Sequence, residues 1–208
     1  IISFNGEIYN YLEVKKKIKE KFKTNSDTEV LLKSFGNNKK LDDLEGMWSF
    51  AYFDKFNDNL YLVTDPFNEK PLYYYKEKDC IYFGSCPSYI FALSKLVSKI
   101  DEEKTFFFLK YGFKCLNYSQ NTFHQNIFKL ENASIIKFNK LSFSKKKYWH
   151  LPYSKNLKIT YDDAVERTRY NIINSFNKRF RSDFKIACLL SGGIDSAIIA
   201  SLGKKIFK

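Results

Sequence analysis

Leu189-Leu190-Ser191-Gly192-Gly193-Ile194-Asp195-Ser196 is an apolar run entering a glycine turn that opens a helix. Backbone amides in such a turn converge on one point, and a helix N-terminus adds partial positive charge there. That arrangement suits a phosphate or pyrophosphate, so the string predicts a nucleotide site. Gly192 and Gly193 let backbone approach a ligand closely, and Ser191 and Ser196 offer hydroxyls. Asp195 offers the oxygen ligand that magnesium prefers. The G-x-x-x-x-G-K-[ST] spacing of a Walker loop is absent. Gly-Gly and Asp-Ser also serve ordinary strand-to-helix corners. The full order of hydroxyl, two glycines, apolar residue, acid and hydroxyl is more demanding than a corner requires.

Only a dozen residues follow this loop, so the domain it opens is expected to be cut short. The 208 residues suit one or two domains at ~100–200 residues each. A hydrophobic share of 44% is enough for a real core. No apolar run approaches the ~20 residues of a spanning helix, and no signal-peptide pattern opens the chain. No membrane role is expected. Ile1 stands where an initiator Met would, so the chain is expected to begin inside a longer product or after processing. The formal charge of +12 comes mostly from Lys spread among Asn, Phe, Tyr and Ile. Its clusters at 15–17 and 145–147 are short, so a solvated surface is expected rather than a nucleic-acid face. Cys80, Cys86, Cys115 and Cys188 form no C-x-x-C pair and no zinc spacing with His124 or His150. Both histidines, and Trp149 beside His150, are expected to be structural or surface residues.

The upstream chain has a different rhythm. Residues 1–4 are β-like and end on Asn5-Gly6, a turn pair. Residues 11–22 carry apolar positions at helical spacing. Ser26-Asp27-Thr28-Glu29 has capping-box spacing ahead of a second helix. Residues 47–54, 60–65, 72–76 and 81–85 read as a meander of antiparallel strands. Residues 89–97 and 102–111 suit helices, 127–129 and 133–138 closing strands, and 145–154 a linker. Thr160 is placed to cap a helix through Phe176, followed by a buried strand at 186–190 holding Cys188, and a helix from Ser196. An antiparallel-rich domain over 1–155 is thus expected to precede the start of an α/β domain over 156–208.

The loop at 191–196 resembles the pyrophosphate loop of ATP pyrophosphatases, which adenylate a substrate. Four upstream strings narrow the resemblance: Phe4-Asn5-Gly6-Glu7-Ile8-Tyr9-Asn10, Ser26-Asp27-Thr28-Glu29-Val30, Leu44-Glu45-Gly46-Met47-Trp48-Ser49-Phe50-Ala51, and Asp65-Pro66-Phe67-Asn68-Glu69-Lys70-Pro71-Leu72-Tyr73-Tyr74. In that order they resemble the glutaminase half of glutamine-hydrolysing asparagine synthetases. The loop then matches the start of the synthetase half. The resemblance implies an N-terminal-nucleophile αββα sandwich joined to the first piece of an adenine-nucleotide α-hydrolase-like α/β domain.

It also implies roles. Asn5, through its side-chain amide, and Gly6, through its N–H, would form the oxyanion hole that amide hydrolysis needs. Asn5, Glu7 and Asp27 would hold glutamine, with the Asp27 carboxylate facing the α-ammonium group. Leu190, Ser191, Gly192, Gly193, Asp195 and Ser196 would bind ATP, with Asp195 on Mg²⁺. The implied complete enzyme is a cytoplasmic carbon–nitrogen ligase. It takes glutamine, aspartate and ATP, uses no nucleic acid, and gives asparagine, AMP and pyrophosphate; a homodimer is compatible. The family's nucleophile is an N-terminal Cys, and its carboxylate-binding Arg also lies upstream of Asn5. Pro66 and Asn68 stand where the family usually has Arg and Gly. As given, the chain is expected to be an inactive interior fragment.

Three alternatives stay open at this point. A related amidotransferase would use another carboxylate, such as a sugar acid or a peptide. A tRNA-modifying pyrophosphate-loop protein would normally carry paired cysteines, which this chain lacks. A non-catalytic remnant would retain the fold as an interaction module.

Overall fold

The computed structural model describes residues 1–38, 40–112, 120–153 and 158–206, in two compact units, Ile1–Leu151 and Pro152–Lys208. The first unit runs β1 (Ile2–Ile8), α1 (Tyr11–Lys17), α2 (Asp27–Asn38), β2 (Gly46–Asp54), β3 (Asn59–Thr64), β4 (Tyr73–Glu77) and β5 (Cys80–Gly84). It continues with α3 (Pro87–Ser94), α4 (Glu102–Tyr111), β6 (Phe128–Lys129), β7 (Ser134–Asn139) and β8 (Ser142–Lys147). The second unit holds α5 (Tyr161–Arg179) and α6 (Ile194–Ile206). The expected boundary near 155 and Cys115 lie outside the described residues.

Two antiparallel sheets form, one of five strands ordered β1-β2-β3-β7-β8 and one of three ordered β5-β4-β6. Side-chain alternation along a strand sorts their residues into two cores. Ile8, Trp48, Phe50, Val63 and Ile135 face Val14 of α1 and Val30, Leu31 and Phe35 of α2. The other face of the same sheet presents Ala51, Leu62, Ile136 and Phe138 to Leu72, Tyr74 and Leu130. Beyond them α3 packs on β4 and β5, with Ile90 fully buried outside that intersheet cluster. Helices, sheet, sheet and helix give the four layers of an αββα sandwich.

Several expectations change in register or extent. Asn5-Gly6 is not a turn: both lie inside β1, opposite Ser49 and Trp48. The period-two set Ile2, Phe4 and Ile8 continues through Gly6 into the core, and cross-strand pairing overrides local turn chemistry. The helix expected over 11–22 stops at Lys17, where Ile18 is extended at φ −97°. Phe22 packs instead beneath the ammonium groups of Lys15 and Lys33, at 4.8 and 4.9 Å from its ring centre. The helix expected over 89–97 runs from Pro87 to Ser94, where left-handed Lys95 ends it.

Part of the expected linker is β8, which hid because only Phe143 is apolar in its exposed run. An edge strand needs one neighbour for its ladder, and lysines discourage a further partner. In the second unit Thr160 caps α5 as expected, its hydroxyl accepting from the Asp163 N–H at 3.2 Å. The buried strand expected at 186–190 does not form. Leu189 and Leu190 are exposed, as is Cys188, and no strand of this unit lies among its described residues to pair with them.

Candidate active site

β1 is the edge of the five-stranded sheet, and its hydrogen-bond phase decides what that edge offers. The Ile1 amine donates to Phe53 O at 3.0 Å, and the Phe53 N–H returns a bond to Ile1 O at 2.8 Å. Antiparallel alternation therefore turns the odd residues of β1 toward β2 and the N–H groups of Phe4, Gly6 and Ile8 outward. The Ile8 N–H ends on Asp27 Oδ2 at 3.0 Å. Asp27 thus sits on the same strand edge as the Gly6 N–H. The side chains of Asn5 and Glu7 are exposed on the face away from the helices. Asp27, 19 residues beyond Ile8 in sequence, is brought to the strand edge that carries the consecutive residues Asn5, Gly6 and Glu7.

Gly6 has φ +148°, and a Cβ there would stand 2.2 Å from Met47 O and 2.6 Å from Trp48 Cα. Glycine is required by this close approach rather than by a turn. The end of the strand is fixed by Asn10, whose Nδ2 donates to Asp43 O at 2.7 Å. Its Oδ1 accepts from the Glu45 N–H at 2.9 Å.

Asp27 is the first residue of α2, and residues 18–26 lead into it. Ser26 accepts from the Thr28 N–H at 3.1 Å, which is the cap half of the expected box. Glu29 supplies the acid but reaches further back, accepting from the N–H groups of Lys23 and Thr24 and from the Thr24 hydroxyl. The Lys23 N–H, then the Thr24 hydroxyl, lower its carboxyl from 4.5 to about 2. A depressed folded value stabilises the pinned segment above about 4.5, and that contribution is lost as pH falls toward 2. Glu29→Gln is expected to reduce hydrogen-exchange protection of the Thr24 amide at neutral pH. Wild type should approach the variant as pH falls through that window. Equal protection in the two proteins at neutral pH would contradict the assignment.

The fourth sequence string becomes a loop anchored by Asp65, a role that spacing alone did not reveal. The Asp65 carboxylate is fully buried and accepts from the N–H groups of Trp48, Phe67, Glu69 and Lys70. Asn68 has φ +56°, in the left-handed region that Asn tolerates better than most residues. Its Nδ2 donates to Leu130 O at 2.8 Å. Trp149 packs edge-on to Phe67. His124 shares a 3.0 Å hydrogen bond with the Ser98 hydroxyl and meets Phe91 edge-on, while His150 is exposed.

In the second unit Leu190, Ser191, Gly192, Gly193, Asp195 and Ser196 lie together at the start of α6. Gly192 is left-handed at φ +83°. The Ser191 and Ser196 hydroxyls are 3.1 Å apart, and Ser196 Oγ also accepts from the Ser191 N–H at 3.3 Å. Ser196 Oγ donates to Gly193 O at 3.0 Å, which closes the turn. The first-turn N–H groups have no acceptor inside the helix, so the turn fits an anion. Asp195 alone supplies the acid: no group of three or more potential metal ligands occurs among the described residues. Magnesium held there would rest on that carboxylate together with phosphate oxygens and water.

The layer order is that of the αββα sandwich expected from the sequence, with Asn5, Gly6 and Asp27 at the edge of its five-stranded sheet. Residues 1–149 match the family model for a glutamine amidotransferase domain, and residues 167–208 match that for asparagine synthase. The chain belongs to the glutamine amidotransferase domain family. It is 34% identical to a Methanocaldococcus jannaschii protein provisionally named glutamine-hydrolysing asparagine synthetase 2, over 97% of this chain and 40% of that protein. It is 33% identical to Bacillus subtilis asparagine synthetase 1, over 98% of this chain and 32% of that enzyme. The chain therefore spans less than half the length of these relatives. A solved B. subtilis glutamine phosphoribosylpyrophosphate amidotransferase aligns at a TM-score of 0.49 and 15% identity, over 99% of this chain and 44% of that one. No helix among the described residues is long and apolar enough to cross a membrane.

Proposed function

We propose that residues 1–155 belong to a domain that hydrolyses glutamine and that residues 156–208 begin a domain that uses ATP to activate a carboxylate. The complete protein would then be a glutamine-hydrolysing asparagine synthetase. The carrying observation is the strand edge on which Asp27 and the Gly6 N–H stand two residues apart. Two residues of strand span about 7 Å. The α-nitrogen and side-chain carbonyl oxygen of extended glutamine are about 6 Å apart, so a glutamine lying along this edge can hydrogen-bond at both ends.

In this reading Asp27 Oδ1 meets the α-ammonium while Oδ2 stays on the Ile8 N–H. The Gly6 N–H and the Asn5 amide donate to the carbonyl oxygen as it takes charge. Those donors act where charge develops, so they lower the barrier rather than tighten ground-state binding. The nucleophile is the N-terminal cysteine that the resemblance places ahead of Asn5. ATP adenylates the aspartate side-chain carboxylate with loss of pyrophosphate, and the ammonia released from glutamine attacks that acyl-adenylate carbon, expelling AMP to leave asparagine. The 191–196 turn binds and orients the phosphates, and Mg²⁺ at Asp195 would neutralise their charge. This reading also carries a cytoplasmic setting and allows pairing of two copies.

ATP–pyrophosphate exchange by the complete gene product tests the reading. Exchange that requires aspartate, with glutamine hydrolysed in parallel, supports it. Exchange driven only by a sugar acid or a peptide carboxylate moves the acceptor to a different class. Absence of glutamine hydrolysis overturns the proposal.

A further inference from the structure

Asp65 directly follows β3, and its burial brings a charge to the rim of the sheet. Trp48 and Lys70 donate to Oδ2 at 3.1 and 3.3 Å, and Phe67 and Glu69 donate to Oδ1 at 2.8 and 3.2 Å. Four donors match the roughly four lone-pair sites of an ionised carboxylate. In a regular ladder the Trp48 N–H would go to the Asp65 carbonyl, because the Asp65 N–H already donates to Trp48 O at 2.9 Å. The carboxylate takes that N–H instead, and the carbonyl is left to accept from Asn68 and Ala133 at 3.2 and 2.9 Å.

The side chain thus substitutes for its own backbone, and the chain peels off the sheet at this residue. It returns across the face that carries Asn5. Pro71 marks the crossing: its carbonyl accepts from the Ser49 hydroxyl at 3.5 Å, and Ser49 is the cross-strand partner of Asn5. Trp48, the strand residue held by Asp65, is the cross-strand partner of Gly6.

We propose that Asp65 is a positioning residue for the amide-cleaving end of the glutamine pocket, fixing the Trp48 segment behind Gly6 and the 66–71 loop beside Asn5. The inference rests on the glutamine reading above. Asp65→Asn keeps the shape but presents an NH₂ group to N–H donors, so part of the clamp must open. A misplacement of about 1 Å at the reacting end costs on the order of 10²-fold in rate. Asp27, which would hold the other end of the substrate, is bonded to β1 and not to this loop.

The test is steady-state glutamine hydrolysis by the complete gene product, with ammonia-supported ATP consumption measured alongside. Asp65→Asn should lower kcat for glutamine by about 10-fold or more, leave KM within about threefold, and spare the ammonia-supported reaction. Ser49→Ala, which loses only the Pro71 contact, should lower kcat by about threefold at unchanged KM. A folded Asp65→Asn protein with wild-type kcat overturns the proposal. So does one in which KM and the ammonia-supported reaction fail together with kcat. If Asp65→Asn does not fold, Ser49→Ala decides, and wild-type kcat there overturns it. A wild-type protein that hydrolyses no glutamine defeats the underlying reading rather than the role of Asp65.

Discussion

Gly6→Ala is expected to destabilise the first unit by about 3–5 kcal/mol and to abolish glutamine hydrolysis. The added Cβ would lie 2.2 Å from Met47 O and 2.6 Å from Trp48 Cα. Both are backbone atoms of β2, so no side-chain rotation relieves the clash. The φ of +148° is also one that a Cβ disfavours, and the two penalties act together. Relief requires β1 to move away from β2, which carries the Gly6 N–H and Asn5 with it. Urea unfolding followed by the fluorescence of Trp48, fully buried against this strand, reads the loss. A midpoint equal to wild type would mean that the β1–β2 register is wrong.

Phe35→Ala is expected to cost about 3–5 kcal/mol, a fall of roughly 10–15 °C in the melting temperature. Phe35 is fully buried and lies edge-on to Phe50, Tyr52 and Tyr61, with ring centres 5.0, 5.3 and 5.7 Å away. It is the plug by which α2 seals against the five-stranded sheet. Three rings lose their partner at once, and β2 and β3 are too well paired to collapse into the void. Phe56→Ala provides the contrast. Phe56 is fully exposed in the β2–β3 turn, and its removal should change stability by less than about 0.5 kcal/mol. Equal costs at the two positions would contradict the assigned core.

Much of this sandwich was legible because alternation and helical spacing are local signals. The strands expected from 47 and 60, and the helix over 102–111, fall within a residue or so of β2, β3 and α4. Failures cluster where distant partners decide. Asn5-Gly6 has the chemistry of a turn, yet pairing with β2 keeps it extended. Glu29 has the right spacing for a capping box, yet its carboxylate is recruited by Lys23 and Thr24. β8 carries almost no apolar signal, because an edge strand needs only the backbone of β7. Residues 186–190 have the apolar run of a buried strand but no strand beside them among the described residues.

The candidate site divides in the same way. Candidate residues were readable in the strings around Asn5 and Asp27 only through the resemblance of those strings to a family, which is what implies their roles. Their convergence was not. It depends on the Ile8 N–H finding Asp27, a contact between a strand and a helix start that no spacing rule contains. Asp65 was visible as a residue but not as an anchor, because its donors come from β2 and from the loop after it.

The most direct test separates the two ends of the proposed pocket by kinetics on the complete gene product. Asn5→Ala should lower kcat for glutamine hydrolysis about 10²–10³-fold with little change in KM, because its amide acts on developing charge. Asp27→Asn should instead raise KM about 10-fold or more while kcat changes less, because the charge-assisted bond to the ammonium is made before reaction begins. Two variants that raise KM alike, or that leave both constants at the wild-type values, would contradict a single glutamine pocket along β1.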